Sequence, residues 1–305
     1  MNDNLSEYQI TVAVWMVTYN HESYISQAVE SVVNQKTNYK YKLFLGEDCS
    51  TDKTREICIR LKEKYPSKIE LFLQSKNVGG TKNGQDIYKL CINSGAKYIA
   101  LCEGDDYWSD PLKIQKQVGF LEKHNDVSLC FHASFIDFTN SKDVIRPLNI
   151  SEDCYFETEQ IILSGGGLTP TASMMFQGRY LKEILKPQIA SKTAGDFVLT
   201  LYLSLKGKVY YMNDIMSVYL KNNQTSYTNT RRSVLFEIKY KYYVVAILNR
   251  FNSDTKFVYW RFVLRKMFSL LIILIYRLLF LRWFAKYRHY RIIDSGINVL
   301  RRTKN

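Results

Sequence analysis

Short β-rich runs alternate with longer amphipathic stretches through the first 125 residues, and this alternation restricts the fold more than any other feature. The apolar runs are Ile10 to Val17, Tyr41 to Gly46, Ile69 to Gln74 and Tyr98 to Cys102. Between them lie helical patterns at Glu22 to Asn34, Thr51 to Tyr65 and Gly84 to Ser94, each long enough for two or more turns. Strands and helices alternating at these lengths predict βαβ units, hence an α/β fold with a mainly parallel sheet. Ligands of such sheets bind beyond the carboxyl ends of the strands, which is where the polar motifs of this chain fall.

Beyond this region Ser109-Asp110-Pro111 is expected to open a helix reaching about His124, since Ser or Asp can cap it and Pro suits its first turn. Strands are expected at Val127 to Ala133 and Thr171 to Phe176, and a helix from Gly195 to Leu205. Lys208 to Met212 and Ile215 to Leu220 read as a β pair. No internal repeat or low-complexity linker is visible.

Acidic residues follow two of the strands. Glu47-Asp48-Cys49-Ser50-Thr51-Asp52 comes directly after the second, placing Glu47 and Asp48 at its carboxyl edge. Asp48 can there accept a hydrogen bond from a base or ribose, although Ser50 or Thr51 capping the next helix would account for the loop equally well. Glu103-Gly104-Asp105-Asp106 ends the fourth strand, and three carboxylates within four residues repel one another. A hard divalent cation relieves that repulsion, and oxygen ligands suit Mn²⁺ or Mg²⁺, which also bridge a diphosphate. Asp196, after Gly195 at the start of an apolar helix, can act as a general base at a cleft edge or simply favour the helix dipole.

The run Val17-Thr18-Tyr19-Asn20-His21-Glu22, the segment Gly46 to Thr54, Asn77-Val78-Gly79-Gly80, and Glu103 to Trp108 with Asp110-Pro111-Leu112-Lys113 together resemble family 2 glycosyltransferases, inverting enzymes of the GT-A, Rossmann-like fold. Order and spacing agree over about the first 125 residues. A weaker likeness covers Thr171-Ala172-Ser173 and Gly195-Asp196 through Tyr219. The resemblance implies a nucleotide-sugar pocket lined by Thr18, Tyr19, Asn20, Glu47, Asp48, Asn77 and Asp105, with Asp48 on the base, most often uracil. It implies that Asp106 ligates the metal with Asp105 beside it near the ribose and diphosphate, and that Asp196 is the catalytic base. Many relatives carry Arg and His after the tyrosine matching Tyr219, whereas this chain continues Leu220-Lys221-Asn222-Asn223, which supplies phosphate donors only in part.

The formal charge of +13 is uneven: from Arg231 onward there are 17 Lys and Arg against 3 Asp and Glu, leaving the preceding residues near neutrality. Two regions are therefore expected, a catalytic domain over 1–230 and a basic helical region over 231–305. The apolar stretch from Met267 is broken by Arg277 well short of the ~20 residues a spanning helix needs. With Trp260, Trp283 and flanking Arg and Lys it suggests an interfacial helix on anionic lipid, the rival being a helix packed on the catalytic domain. Nucleic acid is a poor fit, because long aliphatic stretches dominate where base-stacking aromatics would be needed. Six cysteines without CxxC spacing read as reduced thiols, and Met1 to Gln9 lacks the pattern of a secretory signal. Charge, tail and cysteines predict a cytoplasmic protein, peripheral at the inner face of the membrane, and the resemblance implies that it transfers sugar to a saccharide or lipid-linked acceptor in surface polysaccharide assembly. A nucleotidyltransferase would require a Gly-rich phosphate loop near the N-terminus, which Thr18-Tyr19-Asn20-His21 is not. An inactive saccharide-binding scaffold sits poorly with Asp48, Asp105, Asp106 and Asp196 occurring together.

Overall fold

The computed structural model describes residues 10–138, 141–185, 195–220 and 234–279. Their ten strands form one sheet: β1 (Val12–Thr18), β2 (Tyr41–Glu47), β3 (Ile69–Leu73), β4 (Tyr98–Leu101), β5 (Tyr107–Trp108), β6 (Val127–Phe138), β7 (Ser141–Ile145), β8 (Cys154–Phe156), β9 (Met175–Gln177) and β10 (Lys208–Leu220). The main path runs β3-β2-β1-β4-β9-β6-β10-β5, with β7 on β6 and β8 on β10. β3, β2, β1 and β4 are all parallel, β6 and β10 are parallel, and β9 lies antiparallel between β4 and β6. The helices are α1 (Ile25–Val33), α2 (Thr54–Lys64), α3 (Gly80–Asn93), α4 (Lys113–Lys123), α5 (Thr158–Ser164), α6 (Leu181–Ile184), α7 (Gly195–Leu203), α8 (Val234–Asp254) and α9 (Trp260–Leu279).

Side-chain alternation along β1 explains the layering. Val12, Val14 and Met16 face a core shared with α1, α2 and α4, whereas Ala13 and Trp15 face one shared with α3, α7 and α8. Burial on both faces gives the continuous apolar runs that made β1, β2 and β4 readable as parallel strands. Trp15 stacks on Tyr88 with ring centroids 4.9 Å apart and donates to the Gly84 carbonyl at 2.9 Å. A Cβ at Gly84 would lie 3.0 Å from the indole, which accounts for glycine inside a helix.

Three expectations are corrected in detail. Helix α3 starts at Gly80, a turn before Gly84, because Gly79 at φ 84° turns the chain into it. Thr171-Ala172-Ser173 is a 3₁₀ turn rather than a strand: Pro170 precedes it, and the Ser173 hydroxyl and amide both donate to the Pro170 carbonyl. The supposed β pair is one strand, β10, bulged where it meets β6. Its Asn213-Asp214 resembles a turn, but Asn213 is bonded to Asp153 and Ser151 and Asp214 to Lys116, so the chain runs on through the bulge.

The C-terminal helices join the core. Val244, Leu248 and Phe251 of α8 and Val263 of α9 are buried in the cluster that holds Leu201 and Tyr202 of α7. Lys266 of α9 is also buried, and its Nζ donates to the carbonyls of Leu163 and Ser164, each at 3.0 Å, at the carboxyl end of α5, where a cation suits the helix dipole. Lys266→Met, which strips those carbonyls of the donor, is expected to lower stability by about 1–3 kcal/mol in chemical denaturation; an unchanged midpoint would show that the contact contributes nothing. Among the described residues no helix is long and apolar enough to cross a membrane. Trp283 and the rest of the basic tail from 280 onward lie outside the described residues, as does the segment after Tyr219 from Lys221.

Candidate active site

The carboxyl ends of β1, β2 and β4 meet along one edge, and two loops lock together there. The amides of Asn20 and His21 donate to Ser50 Oγ (3.0 Å) and Thr54 Oγ1 (2.7 Å), and the amide of Thr51 donates to Asn20 Oδ1 (2.8 Å). Two carboxylates extend the seam: Asp52 accepts the Glu22 amide, and Glu22 accepts the Lys53 amide. Asp52, rather than Ser50 or Thr51, caps the turn into α2 by accepting the Thr54 amide at 2.9 Å. Asn20 at φ 54° takes the left-handed conformation that a short polar side chain tolerates.

Within this frame the candidate nucleotide residues differ in what they offer. Asp48 is buried, and its Oδ1 accepts the Val78 amide at 2.8 Å, which fixes the loop after β3 over the end of β2. Glu47, fully buried, is held by the Ser50 amide (2.6 Å) and by Arg55, so its carboxylate braces the loop. Thr18 is buried at the end of β1 and Tyr19 beside it is 36% exposed, available to stack on a ligand. Asn77 is exposed and accepts the Gly79 amide at 3.0 Å.

The acidic turn after β4 is placed by close approach to β1. The Gly104 amide donates to the Val17 carbonyl at 2.9 Å, and a Cβ on Gly104 would fall 2.7 Å from Thr18 Cβ. Asp105 is partly exposed, with His21 Nε2 3.8 Å from its carboxylate, while His21 Nδ1 lies 3.2 Å from Thr18 Oγ1. Asp106 is buried and accepts the Leu220 amide at 3.1 Å, tying the turn to the end of β10. Trp108 donates to the Ala172 carbonyl at 3.0 Å. Its ring lies 4.1 Å from the Nζ of the fully buried Lys113, which in turn donates to Gln117. Gln117 itself donates to the Ser173 carbonyl. A buried polar spine therefore fixes the acidic turn against the 3₁₀ segment.

Asp196 comes to the same place from the far half of the chain. It sits in the first turn of α7, where its Oδ1 accepts the following amide at 2.8 Å, and that turn is pinned by Thr200, which bonds both the Asp196 carbonyl and Thr169. Its proximity to the acidic turn shows in the electrostatics. Burial, then the negative charges of Asp105 and Asp196, push Glu103 up to about 8, against a hydrogen bond from Thr171. Burial, then Asp105 and Glu103, likewise raise Asp106 well above the usual carboxylate range. Burial holds His21 below its ordinary value despite Asp105 and Asp52.

Such mutually repelling, partly desolvated carboxylates suit a hard divalent cation. Among the described residues no three His, Cys, Asp or Glu side chains form a complete ligand set. Mg²⁺ and Mn²⁺ sites on nucleotides do not need one, because one or two carboxylates, water and the diphosphate fill the shell. The sequence alone assigns no role to His21, Thr171, Lys113 or Arg55. The spacing Thr18-x-x-His21, and Lys113 with Gln117 four residues on, were the available signals.

Residues 13–185 match the family model described as Glycosyl transferase family 2. An uncharacterised Mycobacterium tuberculosis protein is 36% identical over 121 residues, 40% of this chain and 34% of its own length, so the match spans about a third of that relative. Among solved structures, S. aureus TarS 1-349 in complex with UDP-GlcNAc superposes with a TM-score of 0.60 at 17% identity, covering 78% of this chain and 66% of that one. The mannosyltransferase PcManGT from Pyrobaculum calidifontis, in complex with GDP-Man and Mn²⁺, gives 0.59 at 14% identity over 96% of this chain and 80% of its own. At these identities the structures establish a shared fold, GT-A-like with C-terminal helices.

Proposed function

The chain belongs to glycosyl transferase family 2, and from that premise we propose that it moves a sugar from a uridine diphosphate sugar to a saccharide or lipid-linked saccharide, with inversion, in surface polysaccharide assembly. The observation that carries this reading is that Asp196 comes near enough to Glu103 for its charge to raise that carboxyl, in the turn beside the Asp48 loop that also holds Asp105 and Asp106. That the two solved neighbours hold nucleotide sugars supports a donor of this class.

In the reaction we infer, Asp48 and the Thr18-Tyr19-Asn20 loop hold the nucleoside, with Asn77 at its rim and Glu47 bracing the loop through Arg55. Asp105 and Asp106 would hold Mn²⁺ or Mg²⁺, which would supply positive charge to the departing diphosphate. Asp196 takes the proton of the acceptor hydroxyl, whose oxygen forms the new bond to the anomeric carbon as the bond to the diphosphate oxygen breaks. Attack from the side opposite the leaving group inverts the centre, and the nucleoside diphosphate leaves with the bonding pair. The basic region from 231 onward attaches the enzyme to the cytoplasmic membrane surface.

A screen of nucleotide sugars by thermal unfolding tests the reading. One uridine-linked donor is expected to stabilise the protein in the presence of Mn²⁺, by about 2.7 kcal/mol at a concentration one hundred times its dissociation constant. EDTA should abolish the effect, and turnover should release nucleoside diphosphate rather than pyrophosphate. Absence of any Mn²⁺-dependent donor binding would remove the proposal.

A further inference from the structure

Helix α9 is apolar on two faces, and among the described residues only one of them is packed against the rest of the protein. Its inner side carries Val263, buried in the core, and Lys266, bonded to the end of α5, with Phe262, Met267 and Leu270 packed against the same cluster. Its outer side shows Trp260, Leu264, Phe268, Leu271, Ile272 and Ile275, each between 46% and 64% exposed. Spaced by three and four residues, these six form one continuous stripe. At 1.5 Å per residue the stripe is about 22 Å long. Apolar groups exposed in one unbroken line are unusual on a surface that has no partner.

The charge beside the stripe decides what covers it. Exposed Arg261 and Arg265 run along one edge of it, exposed Lys256 lies just before the helix, and α9 contains no acidic residue. From Arg282 onward the sequence adds 7 Lys and Arg against 1 Asp. A second copy docked face to face would set arginine against arginine with no carboxylate on α9 to pair with. A bilayer of anionic lipid offers hydrocarbon to the stripe and phosphate to the arginines, with tryptophan at the level of the headgroups.

We propose that the outer stripe of α9 lies flat in the surface of an anionic bilayer and is the element by which the protein docks there. This rests on reading the C-terminal region as membrane-attached, and it names the face. The geometry also relates that face to the active site. Lys266 and Tyr240 lie directly against Gly165 and Gly166: a Cβ would fall 2.9 Å from Lys266 Nζ at the first and 2.5 Å from Tyr240 Oη at the second. At Gly166 it would also lie 3.8 Å from Phe197, the neighbour of Asp196. The inner side of the docked helix thus borders the loop beside the first turn of α7.

Co-sedimentation of the full chain with vesicles of phosphatidylcholine, with and without phosphatidylglycerol, tests the proposal. Binding is expected to the anionic vesicles. Phe268→Glu with Ile272→Glu should weaken it by at least about tenfold, since two exposed apolar contacts are exchanged for charges of the wrong sign. Both side chains are exposed, so the melting temperature should not move, and Ile59→Glu, on exposed surface of α2, should bind as the parent does. Arg261→Gln and Arg265→Gln should each cost roughly fivefold and flatten the salt dependence. If the parent binds and the double variant binds equally well, the stripe is not the docking face although membrane attachment stands. If the parent binds no anionic vesicle, both readings fall. If light scattering shows a dimer that the double variant dissociates, the face belongs to a second copy and the proposal is overturned.

Discussion

Asp196→Asn is expected to reduce sugar transfer by about 10²–10⁴-fold, the range general-base catalysis contributes, while leaving donor affinity and Mn²⁺-dependent stabilisation intact. The substitution is nearly isosteric, and the asparagine carbonyl can still accept the Phe197 amide that Asp196 now accepts, so the first turn of α7 keeps its cap. Thr200, bonded to the Asp196 carbonyl and to Thr169, anchors that turn independently of the side chain. What is lost is the ability to take a proton. Replacing a carboxylate next to Glu103 also removes one of the charges that raise that group, so the fold should not suffer. The effect should therefore appear in kcat with KM for the donor nearly unchanged, the pattern of an interaction made in the transition state. Turnover equal to that of the parent would eliminate Asp196 as the base and leave the acidic turn as the only candidate chemistry.

The evidence for Asp196 differs in kind from that for the other candidate residues. Glu47, Asp48, Asp105 and Asp106 could be assigned to one edge from sequence because they end a strand or stand in the turn that follows it, and in a parallel sheet the carboxyl ends of neighbouring strands must share an edge. Asp196 follows no strand. It reaches that edge only because β9 runs back antiparallel beside β4 and α7 packs on the same face as α3, a non-local arrangement that periodicity does not encode. The same limit applies to the irregular middle of the chain. β8 is three residues long and pairs with the distant β10, so it left no recognisable apolar pattern. Helix α5 does carry a sequence signal, since Glu157 and Gln160 form a reciprocal capping box at its start. Lys113, a lysine in a helical pattern, gave no sign that it would be fully buried against Trp108; that follows from the Trp108 to Ala172 bond, which closes the 3₁₀ segment over it.

Gly104→Ala is expected to damage the site from a position that carries no functional group at all. The added Cβ would lie 2.7 Å from Thr18 Cβ, 2.8 Å from Thr18 Oγ1 and 3.0 Å from the Val17 carbonyl oxygen. The last is backbone of β1, held in register by β2 on one side and β4 on the other, so it cannot yield as the end of a flexible side chain would. Either the turn after β4 swings outward, stretching the Gly104 to Val17 hydrogen bond, or the end of β1 moves. Overpacking of this kind costs about 1–3 kcal/mol, and the melting temperature should fall accordingly. Activity should fall further than stability alone requires. Thr18 touches His21 and His21 faces Asp105, so any displacement passes directly to the carboxylate that would meet the metal and diphosphate. A misplacement approaching 1 Å is worth about 10²-fold in rate. Gly119→Ala supplies the contrast: it lies inside α4 with nothing within 4 Å of the new methyl, and it should raise stability by up to about 1 kcal/mol without touching turnover. If Gly104→Ala instead matched the parent in melting temperature and in Mn²⁺-dependent donor affinity, the close approach of the acidic turn to β1 could not be what aligns Asp105, and the placement of the metal beside that strand would have to be given up.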